Sequence, residues 1–462
     1  MGSRSAVALG EKARRVAFRL ADRVKGAPFE HHLRELGHAQ HLSPAELTRW
    51  QQQKLYELLR HARDTTRFYS PLIPTRFSPT DGWEILANLP IVDKRIISAN
   101  LNAFLSSAFT RSRLYSGLTS GSTGHDFEFW MNRARRTRVL AELTYFGGWA
   151  GYELGARHLF LRPTKLDSAR DFLRLWQKNQ ILIPSSKLDE VKLDAILDSL
   201  ISTNAKVLFG YPWTLHVLAS HAHRSRKWGS PATLSLRSIV SVGGALLPNT
   251  RNFIEKTFKC SVFERYSALE VGTIAGDCEM RRLHLNVGSL YCELLPESRE
   301  QISRSGGPRN LIVTDLFNYG MPLLRYDLQD KIGLEDGGCP CGRSSLLIHT
   351  IYGREMDQLT SPQGEWIDPV SFGNLLRDMT SIRQFQFVQE TSNAYQIRVI
   401  PEDTLDSTTT SEIARRCQQL LGPSATVQIV QVAEIPALPS GKRPFIVNSM
   451  RRGTLDESAR GC

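Results

Sequence analysis

Long apolar runs are missing from this chain of 462 residues. No stretch reaches the roughly eighteen consecutive apolar residues of a membrane-crossing helix, and the N-terminus lacks the uninterrupted apolar segment of a secretory signal. Cysteine is sparse as well: seven residues are too few to staple so long a chain, so a reducing, cytoplasmic setting is the expectation. Neither an internal repeat nor a low-complexity tract is found, which excludes solenoids and disordered tails. The chain has no Gly-Lys-Ser/Thr loop, no Gly-x-Gly-x-x-Gly and no Gly-x-Ser-x-Gly, so the common phosphate, dinucleotide and hydrolase signatures are out. Acidic residues are outnumbered, 46 against 58 Lys plus Arg, leaving a net charge of +12. That excess attracts anions such as nucleotides, coenzyme A, nucleic acid or acidic lipid without choosing among them.

With 41% hydrophobic and 23% charged residues, the chain can bury a substantial core divided over two or three domains. Residues 4 to 25 read as a basic helix, either a membrane-surface or partner-binding element or a solvated extension packed loosely on the body. A transit peptide is a third reading, opposed by Glu11 and Asp22. Ser43-Pro44-Ala45-Glu46 reads as a helix start, followed by Leu47, Trp50, Leu55, Leu58 and Leu59 at helical spacing up to residue 64. His31, His32, His38 and His41 have no thiolate or matching acid nearby and read as surface histidines. From about 100 to 350, β-rich runs (181–183, 207–209, 238–242, 311–313) alternate with helical stretches (133–149, 190–201, 249–258), which predicts an α/β body. Beyond Arg354 the pattern becomes strand, strand, helix, strand, a small α+β unit. The expected organisation is an extension over 1–43, a large multi-sheet domain over 44–356, a small mobile domain over 357–450 and a tail over 451–462.

The segment Leu118-Thr119-Ser120-Gly121-Ser122-Thr123-Gly124 gathers hydroxyls and glycines between two strand-like runs. Glycines let backbone approach a phosphate closely, and hydroxyls and amides donate to its oxygens. Downstream, in order, come Gly243-Gly244-Ala245, Tyr266-Ser267-Ala268-Leu269-Glu270, Met321-Pro322-Leu323-Leu324-Arg325-Tyr326 with Asp330, Gly353-Arg354-Glu355-Met356-Asp357, and Pro439-Ser440-Gly441-Lys442. With these motifs in this order, residues 45 to 445 resemble the acyl-adenylate-forming superfamily, and within it the phenylacetate-coenzyme A ligase branch and its capsule-biosynthesis relatives.

The resemblance implies roles. Thr119, Ser120, Gly121, Ser122, Thr123 and Gly124 would hold the β- and γ-phosphates of ATP, and Glu270 would contact magnesium. Gly244, Ala245 and Tyr266 would line the adenine pocket, Asp330 would take the ribose hydroxyls, and Arg354 would reach the ribose or α-phosphate. Lys442 would stabilise charge around the α-phosphate, and Asp357 marks the hinge. These residue types suit the chemistry, because bringing an anionic nucleophile to an anionic phosphate needs a cation, a metal and amide dipoles. Three motifs depart from the family pattern: His125-Asp126 replaces the continuation to lysine, Ser267 and Leu269 interrupt the usual Tyr-Gly-x-Ser/Thr-Glu, and Gln329 stands where glycine usually precedes the aspartate.

Cys278, His284, Cys339 and Cys341 supply three thiolates and an imidazole for a closed, structural zinc site, with free buried thiols as the alternative. Gly337, Gly338 and Gly342 would let the second loop fold around the ion. Two aromatic groups, Phe209-Gly210-Tyr211-Pro212-Trp213 and Tyr145, Phe146 and Trp149, are each placed either to wall an acid pocket or to pack as core. The implied activity is conversion of an aryl or fatty acid to acyl-AMP with ATP and magnesium, then transfer to coenzyme A. Alternatives are transfer to an acyl-carrier protein, an amine or a polysaccharide, or a non-catalytic nucleotide-binding scaffold. A nucleic-acid partner is not expected, since the basic residues are spread along the chain with no recognition module. Homodimers occur in the resembling branch.

Overall fold

The computed structural model describes residues 10 to 450, leaving out 12, 21, 23–28, 121–125, 163–174, 176–177, 186–187, 226–233, 235, 297–307, 355–358, 365, 368–374, 377–378, 380, 402–403 and 436–445. Its centre is a mixed sheet of eleven strands among the described residues. Five strands are mutually parallel: β3 (His158–Arg162), β4 (Gln180–Pro184), β5 (Val207–Gly210), β6 (Ser238–Val242) and β7 (Ser261–Ala268), in the order β4-β3-β5-β6-β7. The helices Glu190–Thr203, Pro212–Arg224 and Pro248–Phe258 bury Ile196, Leu215 and Ile254 against one face of the parallel half. This is the arrangement that parallel pairing requires, since each crossover lays a helix on the sheet.

Past β7 the sheet turns antiparallel through β8 (Gly272–Asp277), β9 (Leu283–Leu285), β13 (Leu347–Arg354), β12 (Tyr326–Glu335), β11 (Arg309–Asp315) and β10 (Leu290–Pro296). The helix Pro44–Thr65 packs Leu55, Leu58, Leu59 and Ala62 into the core of this half. It starts as the sequence predicts, with the Ser43 and Glu46 side chains capping one another's backbone amides. A two-stranded hairpin, β1 (Tyr115–Ser120) with β2 (Asp126–Met131), stands apart from the main sheet.

The second sheet, β18-β17-β16-β19, uses Ile382–Gln389 (β16), Ala394–Pro401 (β17), Thr426–Gln431 (β18) and Ile446–Asn448 (β19). The helix Ser407–Leu421 covers it with Ile413, Cys417 and Leu421, giving a second hydrophobic core. The N-terminal helical segment is held to the body: Glu11 accepts from the Arg157 amide and the Lys206 ammonium, and Phe18 meets Phe29 edge to face. That contact set matches the packed-extension reading of the basic helix, with Val16 and Leu20 left exposed.

Candidate functional site

The hydroxyl- and glycine-rich segment forms the tip of the β1–β2 hairpin, with Thr119 opposite Phe127 and Ser120 opposite Asp126. Antiparallel pairing brings the two ends of the tip together, the geometry a phosphate-cradling loop needs. Thr119 is buried and its Oγ1 has no hydrogen-bond partner. An enclosed hydroxyl left unsatisfied is costly unless a ligand meets it. Residues Gly121, Ser122, Thr123 and Gly124 and the Ser120 side chain lie outside the described residues.

Beside the hairpin lies a cluster whose lysine sequence reasoning missed. Glu270 is buried in the turn after β7; its Oε1 is 3.0 Å from Lys94 Nζ and accepts from the Tyr326 hydroxyl at 2.9 Å. Lys94 is placed by its own segment. Val92 donates to Arg325 and accepts from Asp327, which stitches it to the start of β12, and Asp93 then caps the helix Lys94–Ala99. The ammonium also stands 5.7 Å from the Phe127 ring centroid, beside the root of the hairpin. The phosphate loop carries no lysine of its own, so this cation comes from a distant stretch of chain. The signal available in the sequence was the Asp93-Lys94 helix start alone.

Residues expected to serve the nucleoside are brought together across the sheet. The Tyr266 hydroxyl donates to Asp330 Oδ2, although 64 residues separate them. Asp330 faces Arg354 in the β12–β13 register. The Arg354 side chain, Asp357 and Lys442 lie outside the described residues. Gly243, Gly244 and Ala245 follow the end of β6, next to the C-terminal end of β7. Gly243 has φ +77°, and a Cβ there would stand 2.3 Å from the Tyr211 ring, so only glycine fits. Glu264 steadies the loop by accepting from the Leu246 amide at 2.9 Å. Burial, then the neighbouring Asp277, push the Glu264 carboxyl up to about 7, with Arg251 opposing. Gln329, the replacement for glycine, has φ +62° and donates its amide to Asp327.

The four proposed zinc ligands converge. Cys278 follows β8, His284 lies in β9, and Cys339 and Cys341 lie in the β12–β13 connection. All four donor atoms lie within 4.8 Å of one another, with Cys278 Sγ and Cys339 Sγ 3.7 Å apart and Cys341 Sγ 3.3 Å from His284 Nε2. Two sulfurs bound tetrahedrally at 2.3 Å are separated by about 3.8 Å, whereas a disulfide is near 2.05 Å, so the spacing suits a bound ion. His284 Nδ1 is 2.9 Å from Ser345 Oγ, which leaves Nε2 turned toward the thiols. Of the three glycines expected to let this loop fold, Gly337 and Gly342 take positive φ and Gly338 does not.

The two aromatic groups separate. Trp149 packs on Tyr145 and Phe146, and its other neighbours are His284 at 5.9 Å and the Arg343 guanidinium at 4.2 Å. That group shields the Cys and His cluster. Phe209 instead meets Tyr152, His158 and Phe160 on the parallel half of the sheet.

Residues 359–449 match the CapK C-terminal domain family. The chain is 25% identical over 426 residues to protein CapK of Staphylococcus aureus, covering 88% of this chain and 90% of that protein. Among solved structures, 2-hydroxyisobutyryl-CoA ligase in the postadenylation state is similar at TM-score 0.73 and 16% identity, over 92% of this chain and 94% of the other. The anthranilate CoA ligase AuaEII gives 0.53 at 15% identity over 77% and 69%. A benzoate CoA ligase from Burkholderia xenovorans gives 0.52 at 14% over 73% and 69%. The resemblance read from the ordered motifs holds: the chain is similar to CapK along most of its length, and its fold is that of the acyl-adenylate-forming ligases.

Proposed function

We propose that this chain activates a carboxylic acid with ATP and passes the acyl group to the thiol of coenzyme A. The observation that carries this reading is the convergence, around the C-terminal end of β7, of groups suited to the parts of one nucleotide. Thr119 and the hairpin serve the phosphates, and Tyr266 with Asp330 serves the nucleoside. Lys94 adds a cation beside Glu270. In the reaction a carboxylate oxygen bonds to the α-phosphorus, the bond to pyrophosphate breaks, and the acyl-AMP then yields its acyl group to a thiolate as AMP leaves. Glu270 would hold magnesium, which would screen the phosphate charges, and Lys94 is placed to share that task once it no longer faces the carboxylate alone. Cys278, His284, Cys339 and Cys341 would hold zinc as a closed, structural ion. Arg354 and Lys442 would complete the charge stabilisation at the α-phosphate, the latter from the small domain.

Carboxylate-dependent exchange of pyrophosphate into ATP is the test. Exchange that depends on Lys442, with thioester formation from supplied acyl-AMP surviving Lys442→Ala, supports adenylation followed by a separate thiolysis step. Equal loss of both half-reactions sinks the two-step assignment, and absence of exchange with every acid sinks adenylation.

A further inference from the structure

Among the described residues, most of the buried and several of the half-buried guanidinium groups are paired with carboxylates. Arg135 meets Glu142 and Asp315, Arg138 meets Glu35, Arg251 meets Asp277 and Glu264, and Arg325 meets Glu293. Arg265 has no such partner. It lies on β7 between Val242 of β6 and Gly276 of β8, and its Nε is shut from solvent with no hydrogen-bond partner. Its nearest aromatic wall is Phe209, 5.5 Å from guanidinium carbon to ring centroid. Phe209 in turn packs on Tyr152, His158 and Phe160. None of these supplies a negative charge: burial holds the Tyr152 phenol up to about 12 and drops His158 to about 4, so both are neutral at pH 7. Burial likewise lowers Arg265, to about 10, which still leaves it charged.

Arg265 is half-buried, and a guanidinium whose Nε is shut from water without a partner gains when an anion arrives. The position fits an incoming ligand. Arg265 stands near the C-terminal ends of the parallel strands, where ligands of α/β sheets gather. Its neighbour Glu264 serves the Gly243-Gly244-Ala245 loop through the Leu246 amide. Side chains alternate along a strand, so Arg265 is turned from Glu264 to the other face, where the Phe209 rings lie.

We propose that Arg265 docks a second carboxylate of the acid substrate, so that the substrate class is a dicarboxylic acid rather than a plain aryl or fatty acid. The inference rests on the adenylation reading above. The guanidinium fork takes one carboxylate through two parallel hydrogen bonds, the aromatic walls hold the carbon chain, and the other carboxylate is left to attack ATP.

The test is pyrophosphate exchange with pairs of acids of equal carbon number, succinate with butyrate and glutarate with valerate, on the full chain and its Arg265→Lys and Arg265→Met variants. The native protein is expected to favour the dicarboxylate at least tenfold in kcat/KM. Arg265→Met should lose that preference through KM while keeping exchange with the monoacid, and Arg265→Lys should fall between. Because it sheds an unpaired charge, the methionine variant should melt no lower than the native protein. Preference for the monoacid in both pairs, equal loss on both members in Arg265→Met, or a methionine variant that melts well below native overturns the inference while adenylation stands. Should no acid support exchange, adenylation falls, and calorimetric titration of native and Arg265→Met protein with succinate and glutarate decides separately. Binding that needs Arg265 sustains the anion site, and no binding removes it.

Discussion

In the Lys94–Glu270 pair one partner is buried and the other faces the hairpin root, so under the adenylation reading the pair should couple stability to phosphate binding. Removing one member of an enclosed ion pair costs about 3–5 kcal/mol, less where water reaches it. Lys94→Met is therefore expected to lose roughly 3 kcal/mol of unfolding free energy and to raise the KM for ATP at least tenfold. Lys94→Met with Glu270→Gln should recover part of the stability and none of the affinity, and urea titrations with exchange kinetics on the two single variants and the double check both halves. Gln329 makes the opposite point. A side chain at φ +62° costs about 1–2 kcal/mol, of which glycine returns all but its own chain entropy. Gln329→Gly should thus stabilise by roughly 0.5–1 kcal/mol in a urea titration. The residues of the candidate nucleotide site were legible through the fixed order of their motifs rather than singly, since an isolated Asp330 or Arg354 reads as a surface ion-pair partner. Lys94 was not, because nothing local in Val92-Asp93-Lys94 reveals that the segment is stitched to β12.

At the level of elements, the Cys and His cluster ties the end of β8 and the strand β9 to the β12–β13 connection, and Leu347 pairs with His284 across that junction. Metal analysis of the purified chain should find one zinc per molecule, and Cys339→Ser should lower both zinc content and melting temperature while ATP still binds, since the site has no open position for substrate. A Cys339→Ser protein with unchanged metal content and melting temperature would remove the assignment. The parallel strands were readable because each is a short apolar run between turn signals, as Ile181-Leu182-Ile183 and Val207-Leu208-Phe209 show. The capped helices were equally legible. The last strand, Ile446–Asn448, was missed because three residues carry no period. The sheet order was out of reach as well, since β9 and β13 become neighbours only through pairing across about sixty residues.

For the whole molecule, acid should be more harmful than mild alkali. Burial lowers His158 and His216 from 6.5 to about 4. The folded protein refuses protons that the unfolded chain takes up between those values. Each ring's contribution is then complete above pH 6.5 and is lost as pH falls toward 4, by up to about 3 kcal/mol. His216→Gln should show a smaller drop in urea midpoint between pH 7 and pH 4.5 than the native protein; an identical drop would mean that His216 does not titrate in this range. The sequence by itself determined the fold class, the helix starts and the candidate Cys and His cluster, because these follow from local periodicity, capping chemistry and donor type, and the ordered motifs carried the family resemblance. Only the tertiary structure decided which cations stand where. Lys94 is carried to Glu270 by a backbone bridge to Tyr326, and Arg265 lies half-buried beside the Phe209 ring with no carboxylate partner among the described residues. A charge acquires its partner, or goes without one, through contacts between segments far apart in the chain, and no local pattern records them.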